Sequence, residues 1–299
     1  MRGAFPCREQ VIHGQAAPQP GRPTRAAAFT RARARLRRGD RPRALRSRLL
    51  PHQRIREAVP GRPTGCAERL RPGTSHHHIL ELMDLDEELR KLLFSGLTEV
   101  ELSVRSRFAH EAAGVLGSDA FYLRPESCLR MTPDLDSHVT SIERELRRPS
   151  VTVNRYRTGD DLSAVPFWVA IEMVGFGVLA RMVQYLGDST PARLTAQSLS
   201  LPWTGFQPTI HALAVLRNAC AHHAQLWHRR SNIVAAPERK DLRNERAYAR
   251  DDGSIYATII ALKRYTRALD RQSPFGDRVD ELLDRNASFA DGICFPSAR

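Results

Sequence analysis

From Ile79 onward, apolar residues recur at helical spacing: Leu82, Leu85, Leu89, Leu92, Val100, Val104 and Phe108. That period predicts one long helix, running to about Leu116 or bending near Gly96. Gly117-Ser118-Asp119 closes it, and the aromatic pair Phe121-Tyr122 follows in a loop. Downstream the pattern stays helical. Residues 134–147 read as an amphipathic helix with Val139, Ile142 and Leu146 inward, stopped by Arg147-Arg148-Pro149. Residues 150–163 read as a polar loop carrying Arg155 and Arg157. Phe167 to Leu186 is nearly all apolar, so it reads as a third helix at the centre of a bundle, with Gly175 and Gly177 permitting close helix approach. A short helix near Ala192–Leu199 leads through Pro202-Trp203 to a helix from about Phe206, and Ile255–Leu269 makes a last amphipathic one. Residues 277–285 have room for a further turn or two. No stretch alternates with the period of a strand and no repeat stands out, so the fold class is an all-α helical bundle.

The net charge of +13 ordinarily points to nucleic acid or an anionic surface. Its distribution changes that inference. Residues 1–78 hold 18 arginines, no lysine and four acids, whereas the other 221 residues hold 28 basic and 29 acidic side chains. The body of the protein is therefore nearly neutral. Nine of the 19 prolines also lie in residues 1–75, among Arg, Ala and Gly. Three readings fit this segment: a disordered basic tail attracted to RNA, an Arg-rich organelle transit peptide, or a GC-rich gene read out of frame. The serine-poor, proline-rich composition weighs against the transit peptide. The expected division is 1–75 as this low-complexity segment, 76–272 as the helical domain and 273–299 as a short extension.

The five cysteines, Cys7, Cys66, Cys128, Cys220 and Cys294, are dispersed and lack a C-x-x-C spacing. They suit a reducing cytoplasm rather than a disulfide framework. No zinc-ligand spacing appears, and His76-His77-His78 reads as solvated. The most apolar window, Ala164–Ala180, contains Glu172 and is too short for a membrane span.

The densest chemistry lies in residues 210–227, IHALAVLRNACAHHAQLW. Indexed as a helix at 100° per residue, Ile210, Leu213, Ala214, Ala221 and Ala224 form an apolar stripe with Arg217 in its middle. His211, Asn218, His222 and Gln225 share a polar face. A guanidinium at a core-facing position requires an anion or dense hydrogen bonding. A structural carboxylate and a substrate phosphate both satisfy that requirement. Glu172, a carboxylate in an apolar helix, is a candidate partner for Arg217. Glu101 and Arg105, spaced i,i+4, read either as a surface ion pair or as support for the Arg217 site. Arg217 with His222 is chemically sufficient to cut RNA without metal. Arg grips phosphate, His moves a proton near neutral pH, and the 2′-OH is a built-in nucleophile.

The same residues carry a family resemblance. Arg217-Asn218-Ala219-Cys220-Ala221-His222 resembles the R-x(4–6)-H signature of HEPN ribonucleases. The longer string LRNACAHHAQLWHRR resembles the LRN-x-C-A-H-H-x-x-L-W-x-R segment of the Abi (abortive infection) family. Residues 79–110 and 166–182 resemble upstream blocks of that family in the same order, so the resemblance spans about Ser75 to Leu269. Where residues 1–75 stand, relatives usually carry an aromatic-rich helical region.

The resemblance implies a HEPN-like bundle acting as a toxin-like endoribonuclease in phage defence. It implies RNA as substrate, a homodimer whose two motifs line one cleft, and room for a cognate antitoxin protein. Arg217 and His222 would be catalytic and no cofactor is expected. Asn218, His223, Glu101, Arg105 and Glu172 are candidate supporting residues, and Cys220 a packing residue. The expected alternative is a catalytically silent module that binds RNA or a partner. A metal hydrolase would need carboxylates beside His222-His223, and none is adjacent in sequence.

Overall fold

The computed structural model describes residues 75–128, 133–238, 240–241 and 250–296. The readings of residues 1–74, and the basic residues Arg239, Arg243 and Arg246, lie outside these residues. The described chain is helical, without a β-sheet.

α1 (His76–Leu116) runs 41 residues without a break, about 60 Å at 1.5 Å per residue. Ser75 caps it, its hydroxyl accepting from the His78 amide at 3.1 Å, and Gly117 ends it at a φ of 81°. Its inward seam is Leu82, Leu89, Leu93, Leu97, Val100, Val104, Phe108 and Ala112. Gly96 lies within that seam because the Phe275 ring occupies the space of its absent side chain: a Cβ there would stand 2.7 Å from the ring. The glycine thus serves close approach, and α1 continues through it.

Around α1 stand α2 (Pro133–Leu146), α3 (Val151–Asn154), α4 (Phe167–Met173), α5 (Phe176–Tyr185), α6 (Thr190–Ser198), α7 (Phe206–Ala221), α8 (Tyr256–Leu269), α9 (Phe275–Asp284) and α10 (Ala287–Cys294). α1 packs against α4, α6, α7, α8 and α9, and α7 lies against α5. Burial of these apolar seams in one cluster holds the bundle together. Val139 is only partly buried, while Ile142 and Leu146 are fully inside.

Four local expectations change. Phe121 and Tyr122 sit in a short 3₁₀ turn, buried against Phe167, with the Tyr122 hydroxyl donating to the Val165 carbonyl at 2.6 Å. The segment 150–163 contains the single turn α3, capped by Ser150. The apolar run 167–186 is two helices, because Val174 is extended and α5 starts afresh after Gly175. A Cβ on Gly175 would meet nothing within 4 Å, so this glycine does not serve close approach. Beyond residue 274, two full helices pack into the core through Phe275, Val279, Leu283, Phe289 and Ile293, rather than adding a turn or two.

Candidate functional site

α7 brings the Arg217 region to the middle of the bundle, buried through Phe206, Ile210, Leu213, Leu216 and Cys220. Arg217 keeps 29% of its side-chain exposure, so it stands at the edge of the core, not inside it. Its Nε donates to Glu101 Oε2 at 3.0 Å, and its Nη1 approaches Asn218 Oδ1 at 3.4 Å.

The other oxygen of Glu101 accepts from Arg105 Nη2 at 2.8 Å. Arg105 in turn donates through Nη1 to the Val174 carbonyl at 2.8 Å and to the Ile171 carbonyl. Those carbonyls have lost their helical partners where α4 stops, and the guanidinium replaces them. One buried network therefore stitches the α4–α5 break to Arg217. Glu101 and Arg105 are 8% and 7% exposed, which removes the surface-pair reading.

Glu172 does not join this network. It is exposed, on the same outer face of α4 as the half-exposed Trp168, and no ion pair connects it to Arg217. The carboxylate that Arg217 requires comes from α1 instead.

The helix ends sooner than the indexing over 210–227 assumed. Ala221 is its last residue and His222 the cap. The Ala224 amide reaches the Ala219 carbonyl at 2.9 Å and the His223 amide reaches Cys220 at 3.2 Å, the two bonds of a Schellman ending. His223 occupies the position usually given to glycine, with a φ of 54°. His222 and His223 are both exposed, and His223 terminates the helix. Ala224 and Gln225 lie beyond the helix and extend neither of its faces.

A second acid from α1 secures this turn. Asp86 Oδ1 accepts from the amides of Leu226 at 2.9 Å and Trp227 at 2.7 Å, while its other oxygen pairs with Arg90. Arg90 also donates to the Ala224 carbonyl at 3.3 Å. Asp86 is only 5% exposed, although it belongs to an acidic run over 84–88. Burial pushes its carboxyl above the usual range, against the Arg90 charge and the two amides that pull it down. Sequence reasoning missed this clamp. The available signal was its place on the seam, four residues after Leu82 and three before Leu89.

Beside Arg217 a groove of about 360 Å³ opens between α5 and α7. Arg181, His211, Arg217 and Asn218 line it, with Gly177 and with Glu145 of α2. Glu145 is paired with Arg148 at 2.7 Å. Burial, then the Arg181 charge, holds the His211 imidazole below its ordinary value. His222 does not line the groove. Arg217 and Asn218 are thus brought together with His211, while His222 follows one helical turn beyond Asn218.

Cys220 is 5% exposed, and burial pushes its thiol up to about 12, which suits packing rather than nucleophilic chemistry. Among the described residues no group of three or more His, Cys, Asp or Glu side chains is placed to hold a metal ion. No helix among them is long and apolar enough to cross a membrane.

No curated protein and no solved structure shows a significant match to the chain. Residues 62–228, more than half of its length, match the family described as Abi-like protein. The match begins upstream of Ser75 and ends just past the clamped turn, so it contains α1, the Glu101–Arg105–Arg217 network and the His222-His223 ending. By that match the chain belongs to the Abi-like protein family, which points to a part in abortive infection, a defence against phage.

Proposed function

We propose that this protein is a HEPN-type endoribonuclease that cuts RNA without a metal ion, as a homodimer. The observation that carries the reading is the state of Arg217. Its Nε is committed to Glu101, while Arg217 lines an open groove. A cation oriented by one buried carboxylate and presented to a groove is suited to grip a phosphate. His222, exposed at the end of the same helix, supplies an imidazole that can take and return a proton. Asn218 lies between the two and can hydrogen-bond a phosphate oxygen.

Arg217 and His222 are five positions apart and point about 140° from each other on a regular helix. A second copy of the chain resolves this separation, with Arg217 from one protomer and His222 from its partner acting on one phosphate. The 2′-OH attacks, His222 takes or returns the proton, and Arg217 holds the charge that builds on the phosphate. Products then carry a 2′,3′-cyclic or 3′-phosphate and a 5′-OH. An activity of this kind is harmful to its own cell, which makes a cognate antitoxin a natural partner.

The test is cleavage of a mixed RNA substrate in EDTA by the full chain. Arg217→Ala and His222→Ala should each lower the rate by roughly 10²–10⁴-fold. Mixing the two variants should restore part of the activity if one cleft draws on both chains. Loss of activity in EDTA with recovery in Mg²⁺, or products with 5′-phosphate ends, would overturn the mechanism. RNA binding without cleavage would favour the silent-module alternative.

A further inference from the structure

Arg181 is a cation without a visible task. It projects from α5 into the groove, its Nε is buried, and that N–H has no acceptor. Buried donors are seldom left unmade in folded proteins, and an unmade one on a guanidinium marks a place where an anion fits. Among the described residues Arg181 forms no ion pair with a carboxylate. The acid on the groove wall, Glu145, is already engaged by Arg148.

The surroundings repeat that chemistry. His211 and Asn218 face the same space from α7, and Arg217 adds a second guanidinium. Gly175, which caps the ten-residue α5, and Phe176 and Gly177, its first two residues, line it as well, which brings the positive end of the helix dipole to the groove. The lining runs along a stripe of α7, where His211, Val215 and Asn218 follow one another at steps of three or four residues, about 10 Å along the axis from first to last.

We propose that the α5–α7 groove is a phosphodiester subsite for single-stranded RNA, in which Arg181 and His211 hold a backbone phosphate flanking the one presented to Arg217 and His222. The inference rests on the RNA-directed reading given above and adds to it the track along which the strand lies. Arg181 and His211 are binding residues in this arrangement, and the reacting phosphate stays with Arg217.

The experiment uses the full chain and a fluorescent single-stranded 2′-deoxy oligonucleotide, which keeps the phosphates and lacks the nucleophile. Affinity is followed by anisotropy over a range of salt concentrations. Arg181→Gln should weaken binding and make the slope of log K against log salt shallower by about 0.7, the loss of one phosphate contact on a single strand. Gly177→Asp is the second variant and guards against a folding defect. A Cβ there meets only the Asn218 amide, at an ordinary 3.6 Å, and an acid in the first turn of a helix is favourable, yet it puts a negative charge in the groove. It should weaken binding at least as much as Arg181→Gln.

Wild-type affinity and slope in both variants would overturn the subsite, whether or not the protein cuts RNA. Failure of the wild-type protein to bind the probe would overturn it as well. Binding lost in the variants, with RNA left intact by the wild type, would keep the subsite and refute the ribonuclease reading. The same concentration of phosphate groups supplied as inorganic phosphate should leave the probe bound. Displacement would assign the groove to a free anion instead of a strand.

Discussion

α1 carries two acid–arginine pairs of the same spacing, Asp86 with Arg90 and Glu101 with Arg105, the second buried and the first buried at its acid. On an isolated helix surface each would contribute a few tenths of a kcal/mol. Here they reach different kinds of target. Glu101 spends its second oxygen on a side chain, Arg217, and so orients a cation. Asp86 spends its first oxygen on two amides past the end of α7, and so fixes where the backbone turns after His222-His223. One pair sets the direction of a charge and the other sets the path of the chain. A charge pair on a helix therefore takes its role from what its spare atoms meet, and spacing alone does not reveal it.

The difference can be broken from the Glu101 side. Glu101→Gln leaves two buried or half-buried guanidinium groups without their counter-charge, and should destabilise the fold by about 3–5 kcal/mol. Urea unfolding measures this, and a loss under 1 kcal/mol would mean that the Arg217–Glu101–Arg105 chain is dispensable.

A titration outside both networks gives the next effect. Burial, with the Arg181 charge, holds His138 down at about 4. The unfolded chain binds its proton below about 6.5 while the folded chain resists doing so until about 4. Stability is therefore unaffected by His138 above pH 6.5 and falls as the pH drops through that window, by up to about 3 kcal/mol. His138→Leu should flatten this limb of the stability–pH curve. A slope that survives the substitution would place the titration in a group other than Asp86, whose raised carboxyl contributes a slope of the opposite sign.

The Asp86 arm is expected to be weaker and more local. Asp86→Asn keeps one oxygen for the amides but loses the ion pair, and should cost about 1–3 kcal/mol. Hydrogen exchange at Leu226 and Trp227 should accelerate while the amides of α4 and α5 keep their protection. Uniform acceleration across the bundle would show that the two pairs act as one unit. The smallest effect is reserved for Glu172→Gln, which should stay within about 0.5 kcal/mol because that side chain is exposed.

The regularity of α1 was legible because Leu82, Leu89, Val100, Val104 and Phe108 repeat in a single phase. The break at Val174 was not. Neither proline nor a polar cluster marks it, and the group that satisfies the freed carbonyls, Arg105, lies 66 and 69 residues away in sequence. Reading 167–186 as one apolar helix put Glu172 inside, whereas the separate α4 turns it outward beside Trp168. Arg217 was visible as a cation needing an anion, but its partner is 116 residues distant, beyond any local pattern. Glu101, Arg105 and Asp86 did leave a trace, since all three interrupt the leucine seam at positions that should be apolar. Arg181 left none: a single arginine in an apolar run reads as a snorkelling side chain.

Trp227 stands near the end of the family match and rests against α10, where Gly292 leaves room for the indole. A Cβ at that glycine would stand 2.0 Å from Trp227 Nε1. Midway along α1, Phe275 fills the space at Gly96 in the same manner. The stretch that kinship makes recognisable and the stretch that must fold together are thus of different lengths. α8, α9 and α10 carry no part of the match, yet they form one wall of the room in which the matched helices stand. Relatives that share α1 and α7 but supply another wall would need other shapes at Gly96 and Trp227. Those two positions are where divergence of the C-terminal helices becomes readable in the shared part.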